Sequence, residues 1–311
     1  KWNPDGITVA GDATGLAGSS MNLLNDPYDI AIGLKQNLII ADRGNNRLQL
    51  VHLSANSPTN KFSIILTNVS ALNVFVDRMN NIYFYNTHCD CVQKLLHDSK
   101  VVKTVAIGMK RNDFSIPTGI YVDQRGNLYV SDVKNHRVLK WLPNTPADSG
   151  IVVAGGNGEG EAANQLYDPR GLFVDEFSNE KGAIYVVDSS NHRVQKWLPD
   201  AREGVTVAGG NGKGSKLNQL QFPAAVIVDP KTNLLLVSDN QNQRIVKWLP
   251  NAKQGELIAG SNVGEDNARG SEAKMLNWPI GIRFDLQWNL YVADTNNNRI
   301  QKFLFNKLSC E

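Results

Sequence analysis

The residues with the clearest chemical potential are an Asp, an Asn and an Arg that recur at fixed spacing. Asn stands three residues after the Asp and Arg five residues after it, in five places along the chain. The Asp–Arg pairs are Asp42–Arg47, Asp132–Arg137, Asp188–Arg193, Asp239–Arg244 and Asp294–Arg299. One such pair would resemble part of an active site, but five copies indicate a structural group. We expect each Asp to accept backbone N–H groups of a tight turn and each Arg to return a bidentate ion pair, fastening a hairpin.

A second candidate for chemistry is the run His88-Cys89-Asp90-Cys91. Imidazole, thiolate and carboxylate groups are ligands for soft metal ions. The Cys-x-Cys spacing lacks the usual two-residue spacer, however, and no second ligand pair is nearby in sequence. We therefore expect sequence drift here and no metal site. Three cysteines do not make a full disulfide framework, and Cys310 is expected to leave from the opposite face, so we expect no bond from it to Cys89 or Cys91.

These residues belong to a repeat, which is clearest at 117–141. It predicts strand, turn, strand, turn, strand, because apolar β-formers are separated by Asn, Asp and Gly. A degenerate copy over 74–94 fills the gap between Asp42 and Asp132, giving six copies at intervals of 44 to 56 residues. One such sheet has no second layer against which to bury its apolar face, so the copies must stack.

An outer apolar segment accompanies each copy and predicts a fourth strand. Five of these segments follow the third strand of their copies, at 62–66, 102–107, 151–154, 205–208 and 257–259. The sixth, at 7–10, precedes the first copy, while the last copy ends without one. The N-terminal segment is therefore expected to complete the last sheet and to close a ring of six.

The repeat resembles the NHL repeat. The resemblance rests on the pattern Asn-x-Leu-Tyr-Val-x-Asp-x-x-Asn-x-Arg-Val-x-Lys-Trp and on the triplets Asn135-His136-Arg137 and Asn191-His192-Arg193. It implies an all-β, six-bladed β-propeller of four-stranded antiparallel blades, which we expect to form one domain over 1–311. Members of the family bind RNA or protein, sense extracellular signals, or perform metal-dependent lyase chemistry in peptide amidation. The fold does not choose among these activities, and the lyase's His ligands cannot be placed on this sequence.

One face of the ring should carry both the long connections and the hairpins between second and third strands, and we call it the loop-bearing face. Residues that differ between copies are the better functional candidates there, because the fold does not require them. The candidate ligand-binding residues are Tyr28, Arg43, Lys134, His136, Arg170 and His192. They would make this face mildly basic, although scattered solvated charge is the alternative interpretation.

The leading functional hypothesis is a non-enzymatic binding or scaffold module for a protein or peptide, without a cofactor and monomeric. Single-stranded RNA binding is one alternative, but the net charge of +2 and the loop residues Glu159, Glu161, Glu265 and Asp266 argue against it. A metal-dependent lyase or hydrolase is the other, although none of the five His is expected on an inner strand. The five are His52, His88, His97, His136 and His192.

The compartment is left open, with secretion favoured. The chain begins at Lys1, so we expect a processed form or an excised piece, and Asn68-Val69-Ser70 would permit glycosylation of a secreted chain. No apolar run approaches 18 residues, so membrane insertion is not expected.

Overall fold

Each copy of the repeat folds into one four-stranded antiparallel sheet, or blade, in the computed structural model, which describes residues 1–53, 60–107, 118–261 and 270–306. Six blades are present, and the innermost strand of each contacts those of its two neighbours, so that the blades surround a central channel. The prediction of an all-β, six-bladed propeller of four-stranded antiparallel blades is confirmed.

Strands are numbered in chain order, and blades in the order of their first strands. Blade 1 contains β2 (Pro27–Ile32), β3 (Leu38–Asp42), β4 (Arg47–His52) and β5 (Lys61–Thr67). Blade 2 contains β6 (Ala71–Val76), β7 (Ile82–Asn86), β8 (Cys91–Leu95) and β9 (Val102–Ile107). Blade 3 contains β10 (Ile120–Val122), β11 (Leu128–Asp132), β12 (Arg137–Trp141) and β13 (Ile151–Gly155).

The second half of the ring follows the same order. Blade 4 contains β14 (Pro169–Val174), β15 (Ile184–Asp188), β16 (Arg193–Trp197) and β17 (Val205–Gly209). Blade 5 contains β18 (Ala225–Asp229), β19 (Leu234–Asp239), β20 (Arg244–Trp248) and β21 (Glu256–Gly260). Blade 6 contains β22 (Pro279–Phe284), β23 (Leu290–Asp294), β24 (Arg299–Phe303) and, as its outer strand, β1 (Ile7–Gly11).

The ring closes through the N-terminal strand, as predicted. β1 runs antiparallel to β24, with Ile7 opposite Lys302 and Gly11 opposite Arg299. Gly11 has a φ of +81°, and a Cβ atom there would lie 2.2 Å from the carbonyl oxygen of Asn298. Only glycine meets both requirements, so this position fixes how closely β1 approaches its partner.

Large aromatic side chains fill the space between most blades. Trp141, Trp197, Trp248 and Phe303 occupy equivalent positions at the ends of their third strands, are at most 2% exposed, and pack against the preceding blade. Gly150 makes room for Trp141, since a Cβ atom on it would lie 2.6 Å from the indole ring. Blade 2 has the smaller Leu95 at this position, packed against blade 1.

The helical elements in the described ranges are three-residue 3₁₀ turns between second and third strands. They span Arg43–Asn45, Val133–Asn135, Ser189–Asn191, Asn240–Asn242 and Thr295–Asn297. None of the helices in these ranges could reach across a bilayer. The 3₁₀ turns and the long connections share one face, because the Arg after four of the five turns contacts a connection; this is the loop-bearing face.

Candidate functional site

The recurring Asp, Asn and Arg form a buried hydrogen-bonded group at the base of the loop-bearing face. Oδ2 of Asp239 accepts from Arg244 Nε at 2.7 Å and from Asn242 Nδ2 at 2.8 Å. Its Oδ1 accepts the backbone N–H of Gln221 at 2.7 Å. Gln221 lies two residues before Pro223, the proline that precedes the first strand of blade 5. Asp42, Asp188 and Asp294 repeat all three bonds with their own partners.

In four of the five groups the rest of the guanidinium contacts the incoming connection and does not form the bidentate pair expected from the sequence. Arg244 Nη1 donates to the carbonyl of Ser215 at 2.7 Å, and Nη2 donates to those of Lys216 and Gln219, both at 3.1 Å. The group therefore ties the long connection to the hairpin, and we call it the loop clamp. Burial raises the pKa of Asp239, and the positive charge of Arg244 opposes that shift.

Blade 2 has a disulfide where the other blades have the loop clamp. Asn86 pairs with Cys91 in the register in which Asp132 pairs with Arg137. Cys89 and Cys91 are joined, with Cα atoms 5.3 Å apart. The connection entering blade 2 is only residues 68–70, between β5 and β6, so there is no long loop for an arginine to hold. The sequence analysis missed this disulfide, and Cys310 lies outside the described residues.

The disulfide changes the metal interpretation of His88-Cys89-Asp90-Cys91. Sulfur atoms bonded to each other are not available as thiolate ligands, which leaves His88 and Asp90. Asp90 accepts a hydrogen bond from the Tyr85 hydroxyl. Among the residues that the structure describes, no three His, Cys, Asp or Glu side chains are grouped as a metal site.

Two of the predicted face residues, His136 and His192, contact the next blade. Each adopts a left-handed conformation, with φ of 52° and 54°. His136 Nδ1 accepts the backbone N–H of Asp168 at 3.4 Å, and His192 Nδ1 accepts that of Phe222 at 3.2 Å. Their rings also pack edge-on against Tyr167 and Phe222. These contacts give both histidines a role between blades, and their ligand-binding role stays a prediction.

Three other face residues, Tyr28, Arg43 and Arg170, converge at the channel mouth. Tyr28 follows the proline of blade 1, and Arg170 follows that of blade 4. These two blades face each other across the ring of six. The Arg43 guanidinium lies 5.0 Å from the centre of the Tyr28 ring and pairs with Asp26. Burial raises the pKa of Tyr28, whereas the charges of Arg170 and Arg43 both lower it.

Arg170 is the cation of this group that has no counter-charge. It is half-buried, and it forms no hydrogen bond or ion pair with any residue in the described part of the chain. Lys134, the remaining predicted face residue, is exposed in the 3₁₀ turn Val133–Asn135. The arrangement can therefore accept an anionic group beside Tyr28.

A buried ion pair lies deeper, where the first strands meet, and the sequence analysis missed it. Asp29 Oδ2 is 3.3 Å from Arg283 Nη2 and accepts the backbone N–H of Val74 at 3.2 Å, which links blades 6, 1 and 2. Burial raises the pKa of Asp29, and Arg283 opposes the shift. The sequence did contain a signal for Asp29, because this carboxylate stands where blades 3 to 6 have a small residue. Those residues are Gly119, Gly171, Ala225 and Gly281.

Aromatic side chains line the first strands of blades 2 to 4. The Tyr121 ring lies 4.9 Å from Phe75 and 5.4 Å from Phe173, centre to centre, and all three are half-buried. The Tyr121 hydroxyl donates to Glu176 at 3.0 Å. This row packs neighbouring blades together at the inner edge of the ring.

A closed ring of six four-stranded blades, with a connection clamped in most of them, defines the class as a six-bladed β-propeller. The NHL repeat family model matches residues 114–141 and 276–303. The chain therefore carries NHL repeats within a six-bladed β-propeller, as its sequence predicted.

Known proteins are similar in sequence to parts of this chain. Mouse peptidyl-glycine alpha-amidating monooxygenase is 29% identical over 147 residues, which cover 46% of this chain and 15% of that protein. Human NHL repeat-containing protein 2 is 26% identical over 322 residues, covering 85% of this chain and 44% of that protein. The chain thus spans less than half the length of either relative. A crystal structure of a Bacteroides thetaiotaomicron protein of unknown function superposes with a TM-score of 0.74 at 16% identity, covering 96% of this chain and 75% of that one. This likeness shows the fold alone.

Proposed function

We propose that this chain is a non-enzymatic binding or scaffold module whose loop-bearing face holds a protein or peptide. An acidic side chain or a chain terminus of the ligand sits between Arg170 and Arg43, beside Tyr28. The observation that carries the proposal is Arg170, a half-buried guanidinium without an ion-pair partner in the described residues. A charge-assisted hydrogen bond to a carboxylate would satisfy it.

The loop-bearing face also carries exposed apolar side chains, which suit a protein ligand. Leu16, Met21 and Tyr167 lie in the long connections of this face and are 60%, 48% and 38% exposed. Arg, Met and aromatic residues are enriched in protein interfaces. The loop clamps hold the connections in place before the ligand arrives, so little conformational entropy is lost when it binds.

The disulfide between Cys89 and Cys91 supports an extracellular location for this function. Structural disulfides persist in oxidising compartments and are rare in the cytosol. A secreted partner or an extracellular peptide is therefore the ligand class that we propose.

Selection from a random peptide display library on the immobilised chain tests the proposal. We expect the enriched peptides to share an Asp, a Glu or a free C-terminus and to lose binding to Arg170→Glu. Arg125→Glu is the matched control, because Arg125 is exposed in the turn between β10 and β11, on the opposite face. Peptides that bind Arg170→Glu as well as they bind the unmodified chain would refute the assigned site.

An enzymatic alternative has support from a Drosophila melanogaster relative, 26% identical over 171 residues, which its name identifies as an alpha-amidating lyase. A metal-dependent lyase or hydrolase reaction would involve the polar groups at the inner edge of the ring, Asp29 and Arg283. Elemental analysis of the purified chain tests this alternative, since a stoichiometric Zn²⁺ or Ca²⁺ would favour it over the binding role. The RNA alternative is tested by salt-dependent binding to a random RNA pool.

A further inference from the structure

An apolar groove separates blades 1 and 2 on the face opposite the loop-bearing face. Its cavity volume is about 860 Å³, within the range of small-molecule sites. The walls are formed by aliphatic side chains of both blades, including Ile39 and Leu50 of blade 1 and Ile82 and Leu95 of blade 2. We call it the blade 1–2 groove.

Grooves of about 650 and 790 Å³ also lie between blades 2 and 3 and between blades 4 and 5, but Trp141 and Trp248 line those. The blade 1–2 groove differs in its aliphatic lining, because blade 2 has Leu95 at that position. Trp141, Trp197, Trp248 and Phe303 stand at the position of Leu95 in blades 3 to 6. The glycine that accommodates the ring in blade 3, Gly150, is also replaced, because Val102 stands opposite Leu95 in blade 2. Blade 2 therefore lacks both the aromatic side chain and the glycine that accommodates it in blade 3.

Large apolar side chains at the groove remain exposed to solvent. Leu34 is 64% exposed, Met79 is 70% exposed and Ile64 is 42% exposed. All three line the groove. A cluster of exposed apolar side chains is typical of a binding site for an apolar group.

The charges at the groove are of one sign. Lys35 and Lys100 line it and are exposed, and neither forms an ion pair with a described residue. No Asp or Glu is found among the described residues that line it. Two imidazoles at the rim, His52 and His97, are held by Asn37 and Asn80 at 3.0 Å each.

We infer that the blade 1–2 groove binds the anion of a long-chain fatty acid. The hydrocarbon chain lies along the aliphatic walls, and the carboxylate lies at the mouth beside Lys35 and Lys100. A peptide fits less well, because its backbone amide groups would need hydrogen-bond partners that aliphatic walls do not supply. This ligand has one charged group of the required sign and is apolar elsewhere.

Titration with palmitate, below its critical micelle concentration, tests the inference by calorimetry. We expect saturable binding to one site. Ile64→Glu should abolish it, because the new carboxylate faces the hydrocarbon chain at an exposed position that does not affect folding. Val152→Glu is the matched control: Val152 has the equivalent place in the outer strand of blade 3 and is 43% exposed, but it lies outside the groove.

Charge reversal separates the headgroup from the chain. Lys35→Glu with Lys100→Glu should weaken palmitate binding at least about tenfold, while the uncharged palmityl alcohol should bind both proteins equally. Palmitate binding that is unchanged in Ile64→Glu, or no saturable binding at all, would overturn the inference. So would preference for an acidic peptide over palmitate.

Discussion

The Nε of Arg244 donates to Oδ2 of Asp239 at 2.7 Å, and both side chains are at most 1% exposed. The same guanidinium donates to three carbonyls of the connection that enters blade 5. A residue pair that resembles a catalytic pair in isolation thus holds the connections of the loop-bearing face.

Arg244→Ala should therefore destabilise the protein strongly. The substitution leaves a buried carboxylate and buried carbonyl groups without a donor, and removing one partner of a buried pair costs about 3–5 kcal/mol. The free energy of unfolding in urea, followed by tryptophan fluorescence, measures the loss.

Arg137→Ala provides the comparison for that measurement. The Arg137 side chain is 19% exposed, and its contact in the described residues is the 2.8 Å bond to Asp132. We expect a loss of about 1–2 kcal/mol. Equal losses for Arg137 and Arg244 would show that the deeper burial of Arg244 adds nothing to the clamp.

Closure of the ring can be tested at Gly11. Gly11 and Gly158 have nearly the same φ, +81° and +79°, but a Cβ atom on Gly158 would meet nothing within 4 Å. Alanine at either position carries the left-handed strain of about 1–2 kcal/mol. Gly11→Ala should cost about 2 kcal/mol more, because its Cβ overlaps the Asn298 carbonyl. Thermal unfolding of the two variants should separate them, and equal melting temperatures would contradict the close approach of β1 to β24.

Stability should depend on pH through Asp29, whose pKa is raised by burial above the ordinary value of 3.8. As pH rises past that value, the unfolded chain loses this proton before the folded chain does, so the free energy of unfolding falls. Asp29→Asn removes that part of the slope while keeping an acceptor for Val74. We expect the variant to lose less stability than the unmodified chain between about pH 4 and pH 7. Parallel pH profiles from urea titrations would argue against a raised pKa.

The blade 2 disulfide predicts a particular thiol count. The chain has 3 Cys, and the structure joins Cys89 to Cys91. Alkylation of the denatured, unreduced protein should therefore add one label, and prior reduction should allow two more. Since the bond closes only three residues, replacing both cysteines with serine should cost about 1.5 kcal/mol. Full labelling without reduction would exclude the disulfide.

The sequence was informative about what repeats. The spacing of Asp, Asn and Arg located the blades, and the unpaired segment at 7–10 predicted which strand completes blade 6. These features follow from local periodicity, because each strand pairs with its neighbour in sequence or with its counterpart at the ring's end.

Contacts that do not repeat were beyond sequence reasoning. The approach of Tyr28 to Arg170 occurs once and depends on the diameter of the ring. Cys89 and Cys91 were placed in the clamp register but interpreted as drift, because only the turn between β7 and β8 shows their Cα atoms 5.3 Å apart and joined.

Hydrogen exchange of the chain bound to a selected acidic peptide tests the central claim, that the ligand occupies the loop-bearing face, most directly. We predict protection of backbone amides in Arg43–Asn45 and in the connection before Pro169, on either side of the channel mouth. Amides in the turns on the opposite face, such as those between β10 and β11, should exchange at the unbound rate. Protection of those turns, with Arg43–Asn45 unchanged, would contradict the claim.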